Sequence, residues 1–294
     1  MGATLGGCAV LVFFALSGFL IYKSYERNQL AEFVEARVLR IYPALCVVVL
    51  LSVFIIGPAF TILPLEQYAT SRETIEYIPR ALSLKFVSFS LPGVFAGTPF
   101  PAVNGPLWTL WYEIACYMGL AVSLTLLKRF EPCLVLYAIA YLFLRETLYG
   151  PLSLAFVTGM AIYRYRITIP AGPLVAVGLL AASFAVRELM PIFIGYTSLW
   201  VAQMKSPLLA YNKTGDYSYG LYIYGWPVQE IVVSLVPHIS PLGVMCLSLP
   251  AALVCAIISW HFIEQPCLRA KGVLVKNSFA RSFVSRAAAR ESSD

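Results

Sequence analysis

The chain has 294 residues, of which 60% are hydrophobic and only 12% are charged, and its mean hydropathy is +0.77. A soluble globular domain carries about 25% charged residues, so this composition excludes an ordinary soluble protein and indicates a polytopic membrane protein. The net charge of +6 does not indicate a nucleic-acid partner, because the cations lie in short loops and in the tail, where membrane topology explains them.

Apolar segments follow one another along almost the whole chain, and a full membrane span needs about 20 such residues. They predict an all-α fold, a polytopic transmembrane helix bundle of nine spans, with no internal repeat. Four middle segments are short, and the seventh has a re-entrant loop as its alternative. The bundle is expected to form one domain over 1–268, followed by a basic, disordered tail over 269–294. The predicted spans are 5–22, 41–63, 107–127, 133–148, 151–163, 172–187, 191–204, 217–236 and 241–263.

One long connection, 64–106, contains six prolines and lacks a spanning apolar run. Proline punctuates helices and strands, so this pattern is typical of an ordered loop outside the membrane. A short helix is predicted near Thr74–Leu84.

Positive charge predicts the orientation of the spans, because Lys and Arg concentrate in cytoplasmic loops. Alternate connections hold most of the 21 Lys and Arg residues, which predicts a multi-pass protein of the cell (inner) membrane with a cytoplasmic C-terminus and an outer N-terminus. The predicted cytoplasmic cations are Lys23, Arg27, Arg37, Arg40, Lys128, Arg129, Arg164, Arg166, Lys205, Lys213, Arg269, Lys271, Lys276, Arg281, Arg286 and Arg290, and the outer ones are Arg72, Arg80, Lys85, Arg145 and Arg187.

The seven cysteines are expected to pack as small apolar side chains, since they lie mostly in apolar segments and form no C-x-x-C pair. Only two histidines are present and neither lies near a cysteine cluster, so we expect no metal site.

Glu113 and Glu230 fall well inside predicted spans, where an ionisable group costs at least about 2.5–3.5 kcal/mol and is therefore a functional candidate. Glu113 lies about seven residues into its span, which at about 1.5 Å per residue places it roughly 10 Å below the outer surface. Glu230 is expected at a similar depth. For either residue, the alternative is a carboxylate hydrogen-bonded to a neighbouring helix for packing alone.

Arg37 and Arg40 lie at the predicted cytoplasmic start of the second span, and their i, i+3 spacing puts both guanidiniums on one helix face. The arginine fork suits phosphate oxygens, and helix N-termini also favour anions. Ordinary positive-inside anchoring is the alternative.

Near the C-terminus, His261 and Glu264 also have i, i+3 spacing, and we expect them to form a structural cap before Pro266. Asp216 resembles an N-cap for the eighth span.

Five segments in order resemble the acyltransferase-3 family of integral-membrane O-acyltransferases. Each match alone is weak, but together they cover nearly the whole chain. The segments are F-F-A-L-S-G-F-L-I at 13–21, R-x-x-R-I-Y-P at 37–43, L-W-T-L with Glu113 at 107–113, S-Y-G-L-Y-I-Y at 218–224 and F-I-E-Q-P at 262–266.

The resemblance implies a ten-helix bundle with both termini cytoplasmic. It implies transfer of an acyl group, usually acetyl, from acyl-CoA in the cytoplasm to a hydroxyl of a cell-surface carbohydrate, without a metal. Arg37 and Arg40 are then expected to bind the CoA phosphates, and Glu113 to be catalytic near the acceptor path. The wider substrate path is expected to include Trp108, Tyr222 and Glu230. The expected partners are a glycan acceptor and membrane lipid, and no nucleic acid.

The sequence departs from the family at two places. The family's first helix, with an Arg and a His that acts in proton transfer, has no counterpart here, and Gly225 stands where a His is frequent. Three alternatives stay open: a truncated sequence, an enzyme without the usual base, or an inactive homologue. Because neither His238 nor His261 is well placed, we expect a chain that starts at Met1 to transfer acyl groups poorly or not at all.

The rival from another class is a transporter or flippase of a lipid-linked sugar. Such proteins often show paired half-repeats with Gly- or Pro-broken helices, and none is visible in this sequence.

Overall fold

The computed structural model describes residues 4–165, 172–204 and 215–271, and this part of the chain is mostly helical and contains no β-strand. Every predicted apolar segment falls on a helix. The α-helices are α1 (Leu5–Arg27), α2 (Leu30–Leu51), α3 (Gly57–Phe60), α4 (Leu65–Thr70), α5 (Arg72–Ser83), α6 (Trp108–Leu127), α7 (Phe130–Leu144), α8 (Tyr149–Arg164), α9 (Pro173–Ala185), α10 (Met190–Ala202), α11 (Ser218–Leu235), α12 (Pro241–Ser259) and α13 (Gln265–Arg269).

Among the described residues, four helical stretches are long and apolar enough to cross a membrane: Leu5–Arg27, Leu30–Phe60, Gly105–Leu127 and Pro241–Arg269. The other helices on predicted spans are shorter, with 13 residues in α10, so the count of nine spans stays a prediction. The predicted orientation is likewise untested. The predicted disordered tail lies, after its first residues, outside the described part of the chain.

The chain divides into two compact units. The first unit comprises Met1–Leu30 and Tyr112–Pro207, and the second comprises Ala31–Trp111 and Leu208–Asp294. Both units contain residues of 1–268, the region that the sequence predicts as one transmembrane domain.

In the first unit, α1 packs against α8 through two glycines that let the helix backbones approach closely. A Cβ added to Gly18 would lie 1.9 Å from the Phe156 carbonyl oxygen, and one added to Gly159 would lie 2.0 Å from the Ala15 carbonyl oxygen. Lipid provides little hydrophobic driving force between helices, so such small-residue contacts hold membrane helices together. The glycine of the F-F-A-L-S-G-F-L-I segment therefore has a packing role.

Cations separate to the two ends of this unit. A cavity of about 430 Å³ at one end is lined by the start of α1 and by Arg145 and Arg187. A cavity of about 600 Å³ lies where α1 and α8 end, and Lys128, Arg129 and Arg164 line it. The side of the membrane on which each end lies stays a prediction.

In the second unit, a π-helical segment, Ser52–Ile56, joins α2 to α3 in one continuous helix. The connection that follows contains α4 and α5, so the predicted short helix near 74–84 is confirmed. Tyr68 anchors this connection by donating to the Val53 carbonyl oxygen at 2.9 Å. Burial raises the pKa of the Tyr68 phenol to about 12. Its hydroxyl fits because a Cβ on Gly57 would lie only 1.8 Å away.

The closing helices of the second unit also pack tightly. A Cβ on Gly220 in α11 would lie 2.8 Å from the Ala256 Cα atom in α12. A second π-helical segment, Trp260–Glu264, follows α12 and leads directly into α13.

We predict that Gly18→Val and Gly159→Val each destabilise the first unit by at least about 1–3 kcal/mol, because a larger side chain must push the helices apart. The measurement is thermal unfolding of the detergent-solubilised protein. Gly178→Val in α9 is the matched control, since nothing lies within 4 Å of a Cβ at that position. Equal melting temperatures for all three variants would contradict the packing role.

Candidate functional site

The most connected charged side chain in the described residues of the second unit is Arg40. Its two terminal nitrogens bind different carboxylates: Nη1 lies 3.0 Å from Glu264 Oε2, and Nη2 lies 2.8 Å from Asp216 Oδ2. The guanidinium carbon also lies 5.6 Å from the Tyr219 ring centroid and 5.7 Å from that of Trp260, within cation–π range. Arg40 thus ties α2 to the start of α11 and to the closing helix.

The two carboxylates have different surroundings. The Glu264 side chain is fully buried, and its second oxygen accepts from the Ser259 hydroxyl at 2.9 Å. The Asp216 side chain is 56% exposed and also accepts from Ser218. A fully buried carboxylate is costly unless it is paired and hydrogen-bonded. Arg40 and Ser259 together meet that requirement for Glu264.

The interpretation of Glu264 as a cap before Pro266 was wrong. The helix does not end there, because the π-helical turn passes into α13 and continues to Arg269. Asp216 does act near a helix start, since its Oδ1 accepts from the Ser218 backbone N–H at 3.3 Å. The N-cap residue of α11 is Tyr217.

The expectation that a helix N-terminus assists Arg37 and Arg40 was also wrong. The helix begins at Leu30, because Glu32 and the following residues continue the helical pattern upstream of the apolar run. Both arginines therefore lie within α2, beyond its first turns. Arg37 is half-buried, and Arg40 is 19% exposed.

Glu113 lies in the first unit, in the part of α6 that belongs to it. It is 5% exposed, and one of its oxygens accepts a hydrogen bond from the Tyr117 hydroxyl one helical turn later. The structure thus gives Glu113 a buried, hydrogen-bonded environment.

In the second unit, one face of α11 is bound to the loop segment that precedes α6. Trp226 Nε1 donates to the Ala102 carbonyl oxygen at 2.8 Å, and the Tyr222 hydroxyl donates to the Pro106 carbonyl oxygen and contacts Thr109. These contacts hold the entrance to α6 against α11. Trp108, the first residue of α6, is half-buried beside Thr109.

Asn104 provides a hydrogen-bond donor for a backbone carbonyl oxygen that a proline leaves free in α11. Pro227 lacks an N–H, so the Ile223 carbonyl oxygen four residues earlier has no partner within α11. The Asn104 amide donates to that carbonyl oxygen at 2.9 Å. Asn104 is only 1% exposed, and its backbone N–H donates to the Phe89 carbonyl oxygen at 3.3 Å, so the residue is held in the interior from two sides.

Two buried acceptor oxygens, one in the loop and one on α11, receive no hydrogen bond from the described residues. They are Asn104 Oδ1 and Glu230 Oε2, although Thr98 reaches the Glu230 carboxylate. Leaving a buried polar atom unsatisfied costs about 1–3 kcal/mol. A ligand with O–H or N–H donors would remove that cost. We call these two residues the orphan acceptor pair.

Of the residues predicted from the sequence, the structure places Tyr222 and Glu230 on one helix of the second unit, with Trp108 next to Thr109, which Tyr222 contacts. Arg40 belongs to the ion-pair network instead. Sequence reasoning missed Asn104, for which the only signal was the freed carbonyl group before Pro227. Among the described residues, no group of three His, Cys, Asp or Glu side chains is arranged to hold a metal ion.

Comparison with known proteins gives the class and then the family. A family model described as an acyltransferase domain, that of the acyltransferase-3 family, matches residues 1–212. The chain is 28% identical to an O-acetyl transferase of Shigella phage Sf6, over 88% of this chain and 84% of the relative. It is 27% identical to nodulation protein 10 of Rhizobium leguminosarum bv. viciae, over 90% of this chain and 83% of the relative. No solved structure matches it.

The protein is therefore a membrane-associated acyltransferase, and the chain belongs to the acyltransferase-3 family. This assignment replaces the transporter or flippase alternative.

We predict that Arg40→Gln destabilises the second unit by about 3–5 kcal/mol, because it leaves a buried carboxylate unpaired. Asp216→Asn, which removes the exposed partner, is expected to cost about 1 kcal/mol or less. The measurement is thermal unfolding in detergent.

The Arg40→Gln/Glu264→Gln double variant provides the internal control. Because it removes both buried charges, it is expected to regain part of the stability that Arg40→Gln loses. Equal losses for Arg40→Gln and Asp216→Asn would contradict the buried-pair interpretation.

Proposed function

We propose that the protein transfers an acetyl group from acetyl-CoA, or another acyl group from its acyl-CoA, to a hydroxyl of a cell-surface carbohydrate. The likeness to an O-acetyl transferase supports acetyl and an oxygen acceptor. The orphan acceptor pair is the structural observation that carries the carbohydrate acceptor, because sugars present several O–H donors.

The orphan acceptor pair favours a ligand that donates hydrogen bonds. Glu230 Oε2 and Asn104 Oδ1 are acceptor atoms that receive no hydrogen bond within the described part of the chain. In the proposed complex, hydroxyls of the sugar that are not acylated donate to these oxygens. An apolar acceptor would leave both oxygens unsatisfied, so a polyhydroxylated acceptor is favoured.

The reaction balances without a further reagent. The acceptor oxygen attacks the thioester carbonyl carbon, a C–O bond forms, and the C–S bond breaks. The hydroxyl proton passes to a base, and CoA leaves as the thiolate, which is then protonated. We propose Glu113 as that base, with the Tyr117 hydroxyl holding its carboxylate.

Acyl-CoA is proposed as the donor because Arg37 and Arg40 stand in the R-x-x-R-I-Y-P segment. Since both terminal nitrogens of Arg40 already bind carboxylates, its variants disturb stability as well as any ligand. Arg37 is therefore the better test of donor binding.

We predict that Glu230→Gln raises the KM for the carbohydrate acceptor about tenfold and leaves the KM for acetyl-CoA unchanged, since its role is to accept hydrogen bonds from the sugar. The assay is incorporation of labelled acetyl into surface polysaccharide by solubilised protein. Gln229→Ala, at the exposed neighbouring position, is the control. A rise in both KM values would point to a structural role, and no change in either would remove Glu230 from the acceptor site.

We predict that Glu113→Gln lowers kcat by about 10²–10⁴-fold, the usual contribution of a positioned base. Tyr117→Phe, which keeps the carboxylate but removes its donor, is expected to shift the pH profile of kcat with a smaller loss. Glu66→Gln, on an exposed turn of α4, is the control. Full activity in Glu113→Gln would exclude this residue as the base.

We predict that Arg37→Ala weakens acetyl-CoA binding more than Lys23→Ala or Arg27→Ala. All four positions, Lys23, Arg27, Arg37 and Arg40, are predicted to be cytoplasmic. Only the last two belong to the R-x-x-R-I-Y-P segment. The measurement is the dissociation constant for acetyl-CoA. Equal effects in the three variants would leave membrane anchoring as the role of Arg37.

A further inference from the structure

Loop segment 98–104 of the second unit lies along α11, and three contacts hold it there. The contacts join Asn104 to Ile223, Ala102 to Trp226 and Thr98 to Glu230. The three positions on α11 have i, i+3 and i+7 spacing, which places them on one helix face. Since the loop meets them in reverse order, it runs antiparallel to the helix along that face.

The middle of this segment presents an aromatic ring to the outside of the fold. Residues 99–101 are exposed, and Phe100 is 68% exposed. Phe100 comes between the loop positions that contact Glu230 and Trp226, so it lies level with the stretch of α11 between those two residues. An exposed aromatic ring therefore stands next to the orphan acceptor pair.

The backbone restricts the conformation of this aromatic tip. Pro99 and Pro101 each have φ fixed near about −65° by their own rings. The Phe100 carbonyl oxygen accepts from the backbone N–H two residues later at 2.7 Å, which closes a tight turn at Pro101. On the other side, the Thr98 N–H donates to the Phe95 carbonyl oxygen at 2.9 Å. A ligand that covers the ring thus loses little affinity to ordering of the loop.

The orphan acceptor pair extends to both sides of the tip along α11. Asn104 is held at the level of Ile223, and Glu230 lies seven residues farther along the helix. At about 1.5 Å per residue these two levels are roughly 10 Å apart. A single pyranose ring is shorter than that distance. A ligand that donates to both oxygens therefore has to extend along the helix face.

The tip and the acceptor pair together suit the two kinds of surface that a sugar presents. The C–H groups on one face of a pyranose ring carry partial positive charge, and the face of an aromatic ring is negative. The hydroxyls at the sugar edge are donors for the two oxygens. Space is available, because a Cβ added to Gly97 would meet nothing within 4 Å among the described residues.

We propose that Phe100 is the stacking platform of the acceptor site, and that the acceptor is a saccharide of at least two sugar residues. This identity of the ligand rests on the proposed function. The connection that contains Phe100 is predicted to lie outside the membrane. Lipid chains have no donors for the neighbouring oxygens, so a saccharide fits this surface better than the bilayer does.

The first experiment measures how acceptor length affects acetyl transfer by the full chain in neutral detergent. The probes are fragments of the surface polysaccharide of the producing cells, freed of acetyl groups by base and separated by size. The KM is expected to be at least about tenfold lower for fragments of two or more residues than for the monosaccharide. Equal KM values for all lengths would overturn the extended acceptor.

The second experiment tests the ring itself. Phe100→Ala is expected to raise the KM for the longer fragments about tenfold, whereas Phe100→Trp keeps the wild-type value because it keeps an aromatic face. Phe86→Ala is the matched control, since Phe86 belongs to the same connection, is also 68% exposed and lies outside segment 98–104. The KM for acetyl-CoA and the melting temperature are expected to stay unchanged in all three variants. Equal effects of Phe100→Ala and Phe86→Ala would overturn the platform.

A third experiment separates a saccharide from the membrane as the partner of the ring. The emission that Phe100→Trp adds to the wild-type spectrum is followed in phospholipid nanodiscs. A change in this emission on addition of the longer fragments supports the platform. Quenching by brominated phospholipid, with no effect of the fragments, assigns the ring to the bilayer and overturns the proposal.

Binding of the fragments is measured by calorimetry on the same preparations, so that failure of the platform and failure of the proposed function are distinguishable. Acetyl transfer with an unchanged acceptor KM in Phe100→Ala overturns the platform and leaves the function standing. Fragment binding that Phe100→Ala weakens, without acetyl transfer by the wild-type protein, supports the platform and removes the proposed function. Neither binding nor transfer overturns both.

Discussion

The Glu264 carboxylate is fully buried among apolar helices of the second unit, and Arg40 neutralises its charge. Much of the local arrangement follows from that pair. Arg40 comes from α2, Glu264 comes from the closing π-helical turn, and Asp216 occupies the other side of the guanidinium just before α11. Tyr219 adds a neutral bond to the Ile41 carbonyl oxygen at 2.8 Å. Three stretches far apart in sequence are thus joined around one guanidinium. The R-x-x-R and F-I-E-Q-P segments, which look independent in the sequence, form one structural element.

The face of α11 shows how a proline in a helix leads to buried polar atoms without partners among the described residues. Pro227 frees a carbonyl oxygen, Asn104 donates to it, and the other atom of the same amide is left facing the interior without a donor. Because Asn104 is held by the first bond, its unsatisfied oxygen cannot simply turn to solvent. Glu230, farther along the helix, carries a second oxygen in the same condition. Polar atoms are thus fixed in advance of any ligand, which is the arrangement that specific recognition requires.

Hydropathy predicted every helix that lies on an apolar segment. Membrane helices form their backbone hydrogen bonds internally, and their hydrophobic composition makes them visible in the sequence. It placed the start of α2 too late, since the first turns of that helix are polar, with Glu32 and Glu35, and do not read as apolar sequence. The Arg40–Glu264 contact spans 224 positions, and no local pattern specifies such a pairing. Glu113 and Glu230 stood out because charges are rare in spans. Asn104 did not, because an amide in a proline-rich loop is an ordinary turn residue.

The ion-pair network has a consequence for exchanging parts between relatives. The acyltransferase-domain match ends at residue 212, yet both carboxylates that neutralise Arg40 lie after it. A chimera joined at that boundary would combine an arginine from one parent with carboxylates from another. Such a hybrid keeps its charge balance only if the second parent supplies acidic side chains at the positions of Asp216 and Glu264 in the same helical register. The π-helical turn sets that register, so a one-residue shift in the crossover would rotate Glu264 away from its partner. The part of the chain that can be swapped as a module therefore extends past residue 212 and includes Glu264.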